Sequence, residues 1–168
     1  TMIAIAVRTS DDPETAEQTL ENIRDYKLER VGEILTVNAV AVVGDGSDPV
    51  KFADLAKQAV DITGLPLILR SPSAAELSTG AKAAGVKCVL GPADESNADG
   101  LKRVAEEGGH ALAVTGAGLD AIVSLTERLK AAGFADLLID FGARSSAAAF
   151  QMNSIARASA LKDGYKPL

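Results

Sequence analysis

Asp140-Phe141-Gly142-Ala143-Arg144 puts an acid and a guanidinium close together just after the apolar run Leu137 to Ile139. At the C-terminal end of a strand such a pair could orient a polar substrate, because parallel α/β sheets carry their ligands on that face. It could equally be a structural ion pair that fixes the turn. Gly116-Ala-Gly118-Leu-Asp-Ala121 follows another apolar run and is trailed at a distance by Asp140. In outline that is a dinucleotide fingerprint, with glycines admitting a pyrophosphate to a helix N-terminus and an acid taking the ribose hydroxyl. Any tight strand-to-helix turn uses glycine for the same steric reason, and both readings stay open. Gly44-Asp-Gly46-Ser-Asp48 could cradle an anion, but Asp45 and Asp48 oppose a phosphate there, and no Lys-Ser or Lys-Thr pair completes a P-loop. It reads as a turn with Asp48 as a helix N-cap. His110 has no Cys, Ser or Asp constellation and reads as a loop or capping residue. Cys88 reads as a small core residue. Phe52, Phe134, Phe141 and Phe150 fit packing positions better than a stacking platform, and no base–nucleophile pair stands out.

The elements that must hold these residues follow from composition and periodicity. The 168 residues carry a formal charge of −6, are 47% hydrophobic and 24% charged, and include one Cys and one His. That apolar content excludes intrinsic disorder, and a single Cys excludes a disulfide scaffold, a structural zinc site or a cluster on this chain. An acidic balance without basic clusters argues against nucleic acid, and no apolar run is long enough to span a membrane. The reading is a cytoplasmic globular domain.

Short apolar runs recur at Ile3 to Val7, Ala39 to Val43, Leu67 to Leu69, Cys88 to Leu90, Ala111 to Val114 and Leu137 to Ile139. Each is continuously apolar, as a strand buried on both faces is. Helical spacing fills the intervals: Ala16, Leu20 and Ile23 in one; Phe52, Leu55, Ala56 and Ala59 in the next; then Ile122, Leu125 and Leu129, and finally Phe150, Ile155 and Leu161. Asp12-Pro13 and Asp48-Pro49 pair an N-cap acceptor with a proline preset for the first turn. Gly133 and Gly164 stand where helices end, and Ser71-Pro72 and Gly91-Pro92 mark strand-to-helix turns. Val31 to Thr36 reads as an irregular or edge strand. Alternation of strand and helix at a period of roughly 21–27 residues predicts an α/β fold with parallel strands. With about six βα units against a closed barrel's eight, the expectation is an incomplete TIM-type (β/α) barrel, 1–168 forming a single domain or fragment. Gly164-Tyr-Lys-Pro-Leu168 looks like Gly64-Leu-Pro-Leu67, so a seventh strand is expected to begin there.

Several stretches in order then carry a resemblance. They are Glu29-Arg-Val-Gly32, Ala39-Val-Ala-Val42, Asp48-Pro-Val-Lys-Phe52 and Thr63-Gly-Leu-Pro-Leu-Ile-Leu69, followed by Leu125-Thr-Glu-Arg-Leu129 and Asp136-Leu-Leu-Ile-Asp140 with Gly142 and Arg144. Ile155-Ala-Arg157 and Ala160-Leu-Lys-Asp-Gly-Tyr-Lys-Pro167 close the series. Together they resemble the central barrel of the large (gamma) subunit of the corrinoid iron–sulfur protein of the acetyl-CoA synthase/decarbonylase (CO dehydrogenase) pathway. The resemblance implies a scaffold barrel, flanked in the whole protein by a cluster-binding N-terminal domain and a cobamide-binding C-terminal domain that this chain does not include. It implies a corrinoid and a 4Fe-4S cluster in the whole protein, none of them ligated here. The implied partners are the small subunit, a methyltetrahydrofolate (or methyltetrahydropterin) methyltransferase, and acetyl-CoA synthase/CO dehydrogenase. No catalytic or metal residue carries over. The strand-end positions Asp45, Ser71, Gly91, Asp140 and Arg144 are the candidates for polar contacts. The alternatives are a pterin-binding methyltransferase-like barrel in which Asp140 and Arg144 grip the pterin, and a dinucleotide-binding α/β domain using Gly116 to Asp140.

Overall fold

A computed structural model describes residues 3–162. Its elements run β1 (Ala4–Arg8), α1 (Pro13–Asp25), β2 (Leu28–Arg30), β3 (Glu33–Leu35), β4 (Ala39–Val43), α2 (Pro49–Thr63) and β5 (Leu67–Arg70). They continue α3 (Ala74–Ala84), β6 (Cys88–Ala93), α4 (Ala98–Gly108), β7 (Ala111–Val114), α5 (Leu119–Ala131), β8 (Leu137–Ile139) and α6 (Ser146–Lys162). The expected parallel α/β architecture is present: one six-stranded sheet in the order β1-β4-β5-β6-β7-β8, every neighbouring pair parallel. That order never reverses, so the described sheet has no topological switch point of the kind a dinucleotide fold uses.

Right-handed crossovers between strands taken in strict order place the connecting helices, α1 to α5, on one face of the sheet. The core follows from that. Val40, Val42, Leu67, Leu69, Leu90, Leu112 and Val114 all cluster with helix residues such as Leu20, Phe52, Leu77, Leu101 and Leu125. The opposite face is the row Ala6, Ala41, Ile68, Val89 and Ala111, aligned by register. Continuous apolar runs predict burial on both faces, but this row is exposed at Ala6 and only half-buried at Ala41, Ile68 and Val89. The reason is that the helices cover one side and the second side has only the sheet to cover it.

The helix starts match the punctuation. Asp12 accepts from Thr15 N–H at 3.3 Å, and Asp48 accepts from Val50 and Lys51 N–H at 3.0 Å each. Gly133, just past α5, has φ +82°, a left-handed value that suits glycine. Two expectations shift. Val31 to Thr36 contributes β3, which pairs antiparallel with β2 in a hairpin whose turn residues Val31 and Gly32 both have positive φ. The stripe Phe150, Ile155 and Leu161 does not face a core: they are 76%, 38% and 72% exposed, and α6 has no buried residue. Of the three, Ile155 turns toward the body of the fold, sharing a cavity wall with Ile122, Ile139 and Phe141. Gly164 and the seventh strand expected at Gly164 to Leu168 lie outside the described residues.

Candidate functional site

The polar residues singled out at strand ends gather along the C-terminal rim of the sheet, where backbone groups run out of ladder partners and side chains supply them. The centre of that rim is Glu76, in the first turn of α3 and fully buried. Its Oε2 accepts from Ser71 Oγ–H at 2.6 Å and from Gly46 N–H at 3.1 Å, and its Oε1 accepts from Asp48 N–H at 3.1 Å. Ser71 in turn accepts from Ser73 N–H at 2.9 Å. One carboxylate thus ties the β4–α2 loop to the β5–α3 turn. Gly44 makes room for it, since a Cβ there would collide with Oε2 and with the Phe52 ring.

The remaining candidates fall out one by one. Asp45 is exposed and spent locally, its Oδ1 accepting from Ser47 N–H at 2.9 Å and Ser47 Oγ–H at 2.6 Å. Those two bonds hold its pKa below the usual carboxylate range. Asp94 repeats the pattern with Ser96, at 2.8 and 2.6 Å. Gly91 is not in a turn but inside β6, where an added Cβ would sit 2.8 Å from that of Ala113. It is a close-packing position, not a polar contact. Asp140 does meet a guanidinium, but that of Arg70 at the end of β5, at 2.6 Å. Its other oxygen accepts from Gly142 N–H at 2.9 Å. Partial burial raises its proton affinity, and the bonds to Arg70 and Gly142 together with the Arg70 charge outweigh this, so the net shift is downward. Arg144 lies exposed and has no hydrogen bond to Asp140. The spacing suggested the wrong arginine because Arg70 is distant in sequence and becomes a neighbour only through the sheet.

Chemically the rim is a set of closed hydrogen bonds. Ser71 and Glu76 form a hydroxyl–carboxylate contact, yet they are 2% and 0% exposed, so no substrate reaches them. Cys88 and His110 lie at the opposite, N-terminal end of the sheet. Burial pushes the Cys88 thiol up to about 11, and its sulfur donates to Val86 C=O at 3.2 Å. His110 Nδ1 accepts from Cys88 N–H at 3.2 Å.

Residues 1–168 match the family model described as CO dehydrogenase/acetyl-CoA synthase delta subunit. The chain belongs to that family. Among its relatives is the corrinoid/iron-sulfur protein large subunit of Moorella thermoacetica, 30% identical over 166 residues, which are 97% of this chain and 37% of that protein. The acetyl-CoA decarbonylase/synthase complex subunit gamma 2 of Methanosarcina mazei is 32% identical over 127 residues, 74% of this chain and 27% of that protein. The subunit gamma of Methanopyrus kandleri is 32% identical over 136 residues, 79% of this chain and 28% of that protein. The chain therefore spans between about a quarter and little more than a third of the length of these relatives, and the family model carries the delta subunit's name while the relatives are large or gamma subunits.

The donor set of this family member does not fit an iron–sulfur cluster or an axial cobalt ligand. Its Cys is buried and hard to ionise, and the His nitrogen beside it already accepts a backbone proton. No group of three or more His, Cys, Asp or Glu among the described residues is placed to hold a metal ion. No helix among them is long and apolar enough to cross a membrane. Glu76 escaped the residue-by-residue reading. The available signal was Ser73-x-x-Glu76, a capping-box spacing. Glu76 N–H does donate to Ser73 Oγ at 3.4 Å, but the carboxylate turns away from the reciprocal bond toward the neighbouring loop.

Proposed function

We propose that this chain is the scaffold barrel domain of a corrinoid iron–sulfur methyl-carrier protein. The whole protein moves a methyl group from a methyltetrahydropterin to acetyl-CoA synthase. The observation that carries the reading is the match of 97% of the chain to a corrinoid/iron-sulfur protein large subunit. The fold supports the barrel. Strands taken in order with the connecting helices outside are the winding of a (β/α) barrel. Arg70 and Asp140 add to this. On a flat sheet β5 and β8 would lie about 14 Å apart, three steps of roughly 4.8 Å, and side chains standing perpendicular to it do not close that gap. Their contact at 2.6 Å favours a sheet that curls toward the face carrying the small residues Ala6, Ala41 and Ala111, as a barrel lining would.

On this reading the chain positions chemistry done by the corrinoid elsewhere in the protein. Its partners are the small subunit, the methyltransferase and acetyl-CoA synthase/CO dehydrogenase, and its compartment is the cytoplasm. The closed rim favours scaffold over catalyst, because Asp140 is held by Arg70 and cannot grip a pterin together with Arg144 without breaking that bond. The test has two arms. Full-length protein purified anaerobically from its source is assayed for cobalt and iron, and the chain is titrated with methyltetrahydrofolate by calorimetry. Cobalt with iron in the whole protein and no heat of pterin binding are expected. Saturable micromolar pterin binding to the chain, or whole protein devoid of cobalt, overturns the reading.

A further inference from the structure

A cavity of about 450 Å³ opens on the N-terminal side of the sheet between α3 and α4, away from the rim. His110 forms part of its wall and is only 6% exposed. Because Nδ1 accepts from Cys88 N–H, the imidazole proton sits on Nε2. Nε2 has no hydrogen-bond partner among the described residues. No fully enclosed side-chain nitrogen or oxygen among them lacks one, so Nε2 must reach open space. Gly108 lines the same space, and a Cβ there would collide with Nε2. A larger residue at Gly108 would therefore block this donor.

Around the donor the wall divides in two. Ala81, Val86 and Val104 are apolar, while Lys82 and Lys87 bring ammonium groups. Lys87 is already held by Asp136 at 2.6 Å, and Lys82 has no ion pair among the described residues. Glu107 also lines the cavity and is exposed. Two lysines against Glu107 and Asp136 leave little net charge, so charge alone does not select a ligand here. A directed N–H donor in a cavity that a lysine without an ion pair also lines selects an acceptor oxygen, and the apolar wall selects what is attached to it. We propose that this cavity binds a small carboxylate with a short apolar body, its oxygens taken by His110 Nε2–H and Lys82 and its carbon chain by Ala81, Val86 and Val104.

His110 is the only histidine of the chain, so one imidazole spin system reports on the site. The ¹⁵N-labelled full chain is titrated at constant ionic strength with butyrate and, separately, with inorganic phosphate, following the Nε2 resonance. The expected result is a saturable shift with butyrate and only a weaker response to phosphate. Lys82→Gln weakens butyrate binding about tenfold, the loss of one charge-assisted hydrogen bond. Val104→Phe fills the cavity and abolishes binding with an unchanged circular dichroism spectrum. If Val104→Phe does not fold, Val86→Phe, nearer the surface, replaces it. A shift that stays linear overturns the proposal. So does saturation untouched by the folded filling variant, or phosphate binding as tightly as butyrate.

Discussion

Glu76→Gln keeps the shape of the side chain and exchanges one acceptor oxygen for a donor. In the native rim Oε2 serves Ser71 and Gly46 while Oε1 serves Asp48. The amide's better orientation keeps its oxygen toward Ser71 and Gly46 and points NH₂ at Asp48 N–H, leaving two donors face to face. One lost hydrogen bond to a charged acceptor is worth about 1.5–3 kcal/mol, and the site is fully buried, so water cannot substitute. Relief from burying a charge acts in the other direction. It is the smaller effect here, because the three donors belong to fixed backbone and a buried hydroxyl and remain in place after the substitution. The net expectation is a loss of about 2 kcal/mol in urea unfolding, or a Tm lower by roughly 4–8 °C for a domain of this size. Amide exchange should show Asp48 losing protection first. Ser71→Ala combined with Glu76→Gln should cost less than the sum of the two, since both act on one network. A Glu76→Gln stability within about 0.5 kcal/mol of the parent, the range of an ordinary surface change, would refute the view that this carboxylate holds the rim together.

Gly80→Ala should destabilise by up to about 2 kcal/mol in the same unfolding assay. The usual helix gain of roughly 1 kcal/mol is outweighed by overpacking, which costs about 1–3 kcal/mol, because the new Cβ would lie 2.5 Å from Phe52 Cε1. Asp140→Asn should cost only about 0.5–1 kcal/mol, as the pair with Arg70 is partly exposed. Its signature is in acid: the Asp140 shift is downward, so its stabilisation is present above pH 3.8 and fades as pH falls through the lower folded value, a decline the variant lacks. Burial first, and Lys87 second, make His110 harder to protonate than the ordinary 6.5. Stability should therefore hold above pH 6.5 and drop below it, as the unfolded chain takes up a proton the folded one refuses. His110→Gln should remove that slope in urea titrations between pH 7 and 5; a slope that persists would remove His110 as its source.

The strands Ala39–Val43, Ala111–Val114 and Leu137–Ile139 and the starts of α1, α2 and α5 were all legible in the chain, because hydrophobic period, proline and N-cap chemistry act within a few residues. So was the family, whose residues recur in order along the chain. The tertiary structure decided what depends on which strands become neighbours. Asp140 finds Arg70, not Arg144, because β5 and β8 approach each other through the sheet. Gly91 becomes a packing residue because β6 continues past Leu90 and presses on Ala113. Glu76 leaves its local capping box because the β4–α2 loop arrives with two unpaired N–H groups, a stronger claim on a buried carboxylate than its own helix makes. The apolar runs do not tell which of their faces the helices cover, and that too is settled by topology: strands in strict order with right-handed crossovers put the connecting helices on one side.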